Sequence, residues 1–272
     1  MLKKPNLGME WRRLATGLCF LTFICGGFIL TITVLPIILI FSSRPEQTEL
    51  RILRVIRFCF KCFMQYMKVL KPIATFNIEG LEHTQSLGGC IVIANHPTLI
   101  DVVAVMSCLP PCHCIIKKSL LDHFYLGRMM RAAGYIANDH AAQLIRDSQK
   151  SLQSGRPLLI FPEGTRSPAY GLNPFNRGAA QIALRTGAPV VPIVITCDPP
   201  TLLKDAPWYA VPPRPIRFTL RFSPPLPIPK AVTDKGGMPL QVRALTQYFE
   251  EFFRHQLREI ADEPMVLHSS QP

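Results

Sequence analysis

Beyond Pro72, short apolar runs alternate with longer stretches in which apolar residues recur at a spacing of three and four. The short runs predict β-strands and the longer stretches predict helices. Because strands and helices alternate, the pattern predicts an α/β fold with a central, largely parallel β-sheet flanked by helices. The predicted strands lie near residues 73–79, 90–95, 113–117, 134–137, 157–161, 190–196 and 216–222, and the predicted helices near residues 98–108, 119–133, 140–153, 176–186 and 239–260.

The N-terminal part of the chain differs, because residues 14–43 contain no charged side chain. A helix needs about 20 apolar residues to cross a bilayer, so this run is long enough. It is longer than the apolar region of a cleaved signal peptide and ends in bulky residues, which predicts a retained membrane segment. Gly26, Gly27 and Pro36 would permit a re-entrant hairpin, and a single span of either orientation stays open as the alternative.

Residues 50–70 predict an amphipathic helix with a basic side and an apolar side. Such a helix suits the membrane interface, and a core helix with a solvated basic face is the alternative. The basic side carries Arg51, Arg54, Arg57, Lys61 and Lys68.

These patterns divide the chain into three parts. We expect a membrane-anchoring segment over residues 1–71, an α/β domain over residues 72–264 and a short polar tail over residues 265–272.

The net charge of +12 is concentrated at the N-terminus, because residues 1–71 hold 11 Lys/Arg against 3 Asp/Glu. These cations flank and follow an apolar segment, so membrane lipid is the expected partner and nucleic acid is not. Positive charge on both sides of the apolar run favours cytoplasmic ends. We therefore expect a protein of the plasma or inner membrane whose α/β domain faces the cytoplasm.

Nine cysteines raise the question of a metal site, most of all where Cys108, Cys112 and Cys114 surround His113. Zinc sites usually combine two separated ligand pairs, and no second pair follows at a suitable spacing. The odd count without an extracellular framework suggests reduced thiols. We expect neither a bound metal nor a bound cofactor.

His96 and Asp101 lie where a predicted strand, residues 91–94, meets a predicted helix. With His96 in the turn and Asp101 one turn into the helix, the carboxylate can reach an imidazole nitrogen. Such a pair forms a general base, although a buried hydrogen-bonded pair is the alternative. The sequence has no Gly-x-Ser-x-Gly elbow, so the reacting hydroxyl is expected to belong to the substrate.

A second block, Phe161 to Ser167, follows the apolar run at residues 157–160. Gly164 lets the backbone approach a ligand, Thr165 offers a hydroxyl and Arg166 can grip a phosphate with two hydrogen bonds. Both blocks follow strands, and parallel sheets bind ligands beyond the carboxyl ends of their strands. A shared site is the prediction, and a turn closed by a structural Glu163–Arg166 pair is the alternative.

The sequences Asn-His-Pro-Thr-Leu-Ile-Asp at residues 95–101 and Phe-Pro-Glu-Gly-Thr-Arg at residues 161–166 together resemble the signature blocks of the glycerolipid (lysophospholipid) acyltransferases. The resemblance extends from about Thr75 to Phe222. It implies catalysis by His96 and Asp101. It also implies acceptor phosphate binding by the second block, namely Glu163, Gly164, Thr165 and Arg166.

Two further blocks resemble this family, and one departs from it. Asn138 stands where the family usually shows an arginine that contributes to phosphate binding, so another cation would have to replace its charge. Lys117, Arg128, Arg131 and Arg177 are the candidates. The strand that contains Pro192 resembles the family block implicated in acyl binding, with a plain core strand as the alternative.

The resemblance implies transfer of a fatty acyl group from acyl-coenzyme A or acyl-carrier protein to lysophosphatidic acid, giving phosphatidic acid without an acyl-enzyme. Asn138 leaves another lyso-lipid or lipid alcohol open as the acceptor. A thioester hydrolase and a non-catalytic lipid-binding protein are the remaining alternatives. Backbone N–H groups near His96 are the expected oxyanion donors.

Overall fold

The computed structural model describes residues 7–85 and 88–262, so the predicted tail at residues 265–272 lies outside the described part of the chain. Its centre is a seven-stranded sheet. The strands are β1 (Ile73–Glu79), β2 (Ile91–Ala94), β3 (His113–Ile116), β4 (Ile136–Ala137), β5 (Leu158–Ile160), β6 (Val190–Asp198) and β7 (Ile216–Phe222).

The strand order is β1-β7-β6-β2-β5-β3-β4, and only the β6–β7 pair is antiparallel. Every residue of β2 and β5 is buried, as expected of apolar strands that are covered on both faces. The predicted α/β fold with a largely parallel sheet is therefore confirmed. Since β6, β2, β5, β3 and β4 run in one direction, their carboxyl ends meet at one edge of the sheet.

Helices cover the sheet, and several of them differ from the predicted bounds. The predicted helix at 119–133 is split in two by the turn at residues 122–125, and the one predicted from residue 98 begins at Asp101. The helices are α1 (Leu7–Ile29), α2 (Leu35–Ile40), α3 (Pro45–Val69), α4 (Glu82–Gln85), α5 (Asp101–Cys108), α6 (Lys118–Leu121), α7 (Leu126–Ala132), α8 (Ala141–Gln153), α9 (Gly178–Thr186), α10 (Lys230–Thr233) and α11 (Met238–Asp262).

The alternation of side chains along β2 places neighbouring residues in different cores. Val92 packs in a cluster that includes Met64 of α3 and Val105 of α5. Ile93 packs in a second cluster with Ala180 of α9 and Phe249 of α11. The helices α3 and α5 therefore cover one face of the sheet, and α9 and α11 cover the other.

The apolar N-terminal run is one helix that continues from Leu7 to Ile40 through a π-helical turn at Leu30–Val34. This turn ends two residues before Pro36, which has no N–H to donate, so the wider turn accommodates the proline without ending the helix. The hairpin alternative within residues 14–43 is therefore not formed. Among the described residues, this is the helix that is long and apolar enough to cross a membrane.

The predicted amphipathic helix is α3, which runs back beside α1. Trp11 donates from its indole to the carbonyl of Leu70 at 3.0 Å, and the rings of Phe23 and Phe60 stack. We expected its apolar side to meet acyl chains, but much of that side is buried within the protein. The sequence could not distinguish the two cases, because a helix that packs on lipid and a helix that packs on the protein core have the same amphipathic pattern. The buried apolar residues of α3 are Ile52, Leu53, Ile56, Met64 and Met67.

Candidate active site

His96 lies just past the carboxyl end of β2, where its neighbour Asn95 fixes the start of the loop. The buried Asn95 side-chain amide donates to the carbonyl of Ile195 at 2.9 Å and accepts from the backbone N–H of Ile195 at 2.7 Å. The loop is thereby bonded to β6, the adjacent strand. His96 itself packs against the ring of Phe161, with 4.5 Å between ring centroids.

Asp101 is hydrogen-bonded to the Nδ1 side of the His96 imidazole. Its Oδ2 atom lies 2.7 Å from His96 Nδ1 and accepts from the backbone N–H of Thr98 at 2.7 Å, while Oδ1 accepts from the Thr98 hydroxyl at 2.5 Å. Asp101 is fully buried. Burial raises the pKa of Asp101, and the hydrogen bonds from His96 and Thr98 oppose that shift.

This pairing gives the two imidazole nitrogens different roles. Nδ1 is engaged by the carboxylate, so the neutral ring carries its proton there and Nε2 is left as the acceptor. Asp101 is the first residue of α5, not a residue one turn into it as we predicted. The hydrogen bonds between Thr98 and Asp101 keep the intervening residues out of the helix.

Glu163 is buried and bonds only to protein groups in the described structure. Its Oε1 accepts from the backbone N–H of His96 at 3.0 Å and from the hydroxyl of Ser167 at 2.5 Å. Its Oε2 accepts from the backbone and side-chain amides of Asn173 at 2.8 and 2.9 Å. These contacts differ from the phosphate contact expected for Glu163, because a carboxylate is repelled by phosphate and is here fully used in joining the two loops.

The turn after β5 places Gly164, Thr165 and Arg166 at the same edge of the sheet. Gly164 has a φ of +66°, and a Cβ atom there would lie 2.9 Å from the amide nitrogen of Asn176. A larger residue would therefore be both strained and crowded. Arg166 donates from Nη1 to the carbonyls of Leu202 and Leu203 at 2.8 and 2.9 Å, which ties the loop after β6 to this turn.

A cavity of about 660 Å³ lies over this edge of the sheet. Its polar lining comes from the loops that follow β2, β5, β3, β4 and β6 in turn. Among the described residues, no charged side chain reaches the lining from outside these five loops. The polar and charged wall residues include His96, Thr165, Arg166, Lys117, Asn138 and Lys204.

Comparison with known proteins finds a family that this part of the chain resembles. Residues 75–196 match the family model described as Acyltransferase, and these residues include both loops described above. Residues 75–196 form an acyltransferase-like domain.

Relatives with this domain share a name. The 1-acyl-sn-glycerol-3-phosphate acyltransferase of Limnanthes alba is 31% identical over 165 residues, which cover 58% of this chain and 57% of that protein. The protein of the same name from Escherichia coli is 32% identical over 122 residues, covering 41% of this chain and 49% of that protein. The chain thus spans about half the length of the curated relatives it matches.

A solved structure resembles the chain beyond the acyltransferase domain. The 1-acyl-sn-glycerophosphate (LPA) acyltransferase PlsC from Thermotoga maritima matches with a TM-score of 0.70 and 21% sequence identity, covering 93% of this chain and 99% of that chain. This likeness shows that the two proteins share a fold.

The structure brings together some of the predicted site residues of the acyltransferase domain and separates others. Lys117 and Asn138 lie on the cavity wall with His96 and Arg166. Arg177 is exposed at the start of α9 and is not itself part of the wall, although its neighbours Asn176 and Gly178 line it. Pro192 is buried within β6 beside Ile93 and does not line the cavity either.

Sequence analysis missed one cation of the cavity wall. Lys204 reaches the cavity wall from the loop after β6, although its only signal was that it follows a predicted parallel strand. Among the N–H groups expected as oxyanion donors near His96, those of His96 and Thr98 donate to Glu163 and Asp101.

Proposed function

We propose that the acyltransferase domain transfers a fatty acyl group from acyl-coenzyme A or acyl-carrier protein to the hydroxyl of lysophosphatidic acid, giving phosphatidic acid for phospholipid synthesis. The observation that carries the proposal is the His96–Asp101 pair beside a cavity whose wall also holds Arg166 and Lys204. The name that these relatives share supports the same reaction.

In this mechanism Asp101 orients His96, and Nε2 takes the proton from the acceptor hydroxyl. The oxygen attacks the thioester carbonyl, and the tetrahedral intermediate collapses with loss of the thiolate, which recovers the proton from His96. The acyl group passes directly from donor to acceptor. Asp101 also stabilises the imidazolium that exists between the two proton transfers.

The cations of the cavity wall bind the acceptor phosphate in this proposal. Arg166 bonds to the carbonyls of residues 202 and 203 through Nη1. Its guanidinium has further N–H groups that can donate to a phosphate. Lys117 and Lys204 add positive charge, and Asn138 adds an uncharged donor. Gly164 and Thr165 shape the turn around the phosphate, while Glu163 positions the His96 loop.

The setting of the reaction is a membrane. The apolar helix from Leu7 to Ile40 supports attachment to a bilayer, and the lipid acceptor is expected there. We place the acyltransferase domain on the cytoplasmic side, where acyl-coenzyme A and acyl-carrier protein are found.

A second acceptor class is favoured by one observation, the presence of Asn138 where the family has a cation. A purified sample in detergent, supplied with each acyl donor, would be offered lysophosphatidic acid, lysophosphatidylcholine and monoacylglycerol, and the products followed by mass. Phosphatidic acid as the main product supports the proposal. Acylation of only the other acceptors would overturn the acceptor, and free fatty acid without any acylated lipid would overturn the transferase.

A further inference from the structure

Thr98 lies between His96 and Asp101 in the sequence and contacts both oxygens of the Asp101 carboxylate. Its backbone N–H donates to Oδ2 at 2.7 Å, and its hydroxyl donates to Oδ1 at 2.5 Å. The hydroxyl oxygen also accepts from the backbone N–H of Ile100 at 3.2 Å. Because this second contact orients the hydroxyl oxygen, its single proton is directed to Oδ1.

The two carboxylate oxygens of Asp101 have different partners. Oδ2 is shared between Nδ1 of His96 and the backbone N–H of Thr98, whereas the donor to Oδ1 among the described residues is the Thr98 hydroxyl. Thr98 and Asp101 are both fully buried, so bulk water does not reach this hydrogen bond. A buried carboxylate oxygen without a donor is unfavourable. Loss of the hydroxyl would therefore leave Oδ1 unpaired.

The other titratable groups near the pair do not supply this hydrogen bond. Burial, together with the charge of Asp101, raises the pKa of the Cys197 thiol of β6 to about 12, so this thiol stays neutral. Glu163 accepts from the backbone N–H of His96. Replacing the Thr98 hydroxyl therefore alters the pair without altering the charges around it. The cations of the cavity wall are Lys117, Arg166 and Lys204.

We propose that Thr98 is a positioning residue for the proton transfer: its hydroxyl holds Oδ1, directs Oδ2 at Nδ1 of His96 and keeps the His96–Asp101 pair in its negatively charged, proton-accepting form. This role rests on the proposed function, in which Nε2 of His96 takes the proton of the acceptor hydroxyl. A hydrogen bond to an anion stabilises the anion, so the pair binds a further proton less readily with this donor than without it. Thr98 thereby lowers the pH at which the pair becomes protonated and inactive.

Three substitutions of Thr98 vary the donor to Asp101. Thr98→Val removes the hydroxyl and keeps the branched shape of the side chain, Thr98→Ser keeps the hydroxyl, and Thr98→Cys offers a weaker S–H donor. The matched control is Thr246→Val, because Thr246 is also buried but its hydroxyl donates to the carbonyl of Val242 within α11. Together these variants separate loss of the donor from the general effect of altering a buried threonine.

Proton uptake by the pair can be followed without an activity assay. Full-length protein in detergent would carry ¹³C at the imidazole Cε1 of its 7 histidines, and the His96 signal, assigned through His96→Ala, would be titrated by NMR. The midpoint belongs to the coupled pair, whichever group binds the proton. We expect Thr98→Val to raise the midpoint by at least about half a pH unit and Thr98→Cys to raise it less. Thr98→Ser and Thr246→Val should keep the wild-type midpoint.

The internal reference is His255, an exposed residue of α11, whose midpoint should be the same in every variant. An unchanged His96 midpoint in Thr98→Val, or an equal rise in Thr98→Ser, would overturn the proposal. If Thr98→Val does not fold, the comparison of Thr98→Cys with Thr98→Ser decides in the same way.

Steady-state rates connect this role to the reaction. With acyl-coenzyme A and lysophosphatidic acid, we expect Thr98→Val to lower kcat roughly 10- to 100-fold with a nearly unchanged KM, and Thr98→Ser to restore most of the loss. A raised KM with unchanged kcat would overturn the proposal. If the wild-type protein acylates no acceptor, the proposed function is wrong, and the NMR midpoints still decide whether Thr98 controls protonation of the pair.

Discussion

The carboxylate of Glu163 accepts a hydrogen bond of 3.0 Å from the backbone N–H of His96, although the two residues are 67 positions apart in sequence. The same oxygen accepts from the Ser167 hydroxyl, and Ser167 in turn donates its backbone N–H to the carbonyl of His96 at 2.7 Å. The loop after β2 is thereby fixed to the loop after β5. This connection holds the imidazole in place over the cavity.

The positioning role of Glu163 predicts a kinetic signature. Glu163→Gln keeps one oxygen acceptor, but its NH₂ group faces donors that the second carboxylate oxygen accepted from. A buried charge-assisted hydrogen bond is therefore lost. We expect kcat to fall roughly 10- to 100-fold, as the loss of about 1.5–3 kcal/mol implies, with the KM for lysophosphatidic acid nearly unchanged. Steady-state kinetics on folded protein measure both constants. A raised KM with unchanged kcat would instead indicate that Glu163 binds the acceptor.

Asp101→Asn tests the support behind His96. The amide can present its oxygen or its N–H to the imidazole but cannot stabilise the imidazolium with a charge. We expect kcat to fall roughly 10²- to 10⁴-fold, and His96→Ala to add little in the double variant because the two residues act as one unit. Multiplicative losses in the double variant would show that they act separately.

Lys204 is predicted to bind the acceptor phosphate. Lys204→Ala should raise the KM for lysophosphatidic acid by about three- to tenfold, since one exposed charge-assisted contact is removed. The KM for a phosphate-free monoacylglycerol should not change. Lys235→Ala is the matched control, because Lys235 is an exposed lysine outside the cavity wall. An equal effect of the two substitutions would argue against a specific role for Lys204.

Glu49 of α3 joins the N-terminal helices to the sheet. Its carboxylate bonds to Nε2 of the buried His113 at 2.9 Å and to Arg156 at 3.0 Å. Burial alone would raise the pKa of Glu49, but the hydrogen bond and charge of His113, with the charge of Arg156, outweigh it and hold the pKa below its ordinary value of 4.5.

This lowered pKa predicts how stability depends on pH. The folded state binds the Glu49 proton less tightly than the unfolded state, so the stabilisation is present above about pH 4.5 and is lost as the pH falls through the folded value. Glu49→Gln should lower the Tm at pH 7 by about 2–6 °C and have a smaller effect near pH 4. Thermal unfolding in detergent measures this, with Glu251→Gln on the exposed surface of α11 as the control. A Tm difference that is the same at both pH values would contradict the assignment.

Much of the fold was predictable because its signals are local. Buried parallel strands are short apolar runs, so β2 and β5 could be recognised, and the loops after them could be placed at one edge of the sheet. The proximity of His96 to Asp101 followed from their five-residue spacing at the junction of a strand and a helix.

The remainder depends on tertiary structure that spacing does not encode. The direction in which the Glu163 carboxylate points is set by donors from two loops, and Lys204 reaches the cavity through a long loop whose path depends on Arg166. The apolar side of α3 has the same periodicity whether lipid or protein covers it. These three features could be assigned only from the packed structure.

The most direct test of the account compares wild-type protein with His96→Ala in detergent, supplied with acyl-coenzyme A or acyl-carrier protein and lysophosphatidic acid, with products measured by mass. The account predicts phosphatidic acid from the wild type and a loss of at least about 10²-fold in the folded variant. Phosphatidic acid formed at the same rate by both proteins would contradict it, because no proton acceptor other than His96 is assigned to the acceptor hydroxyl.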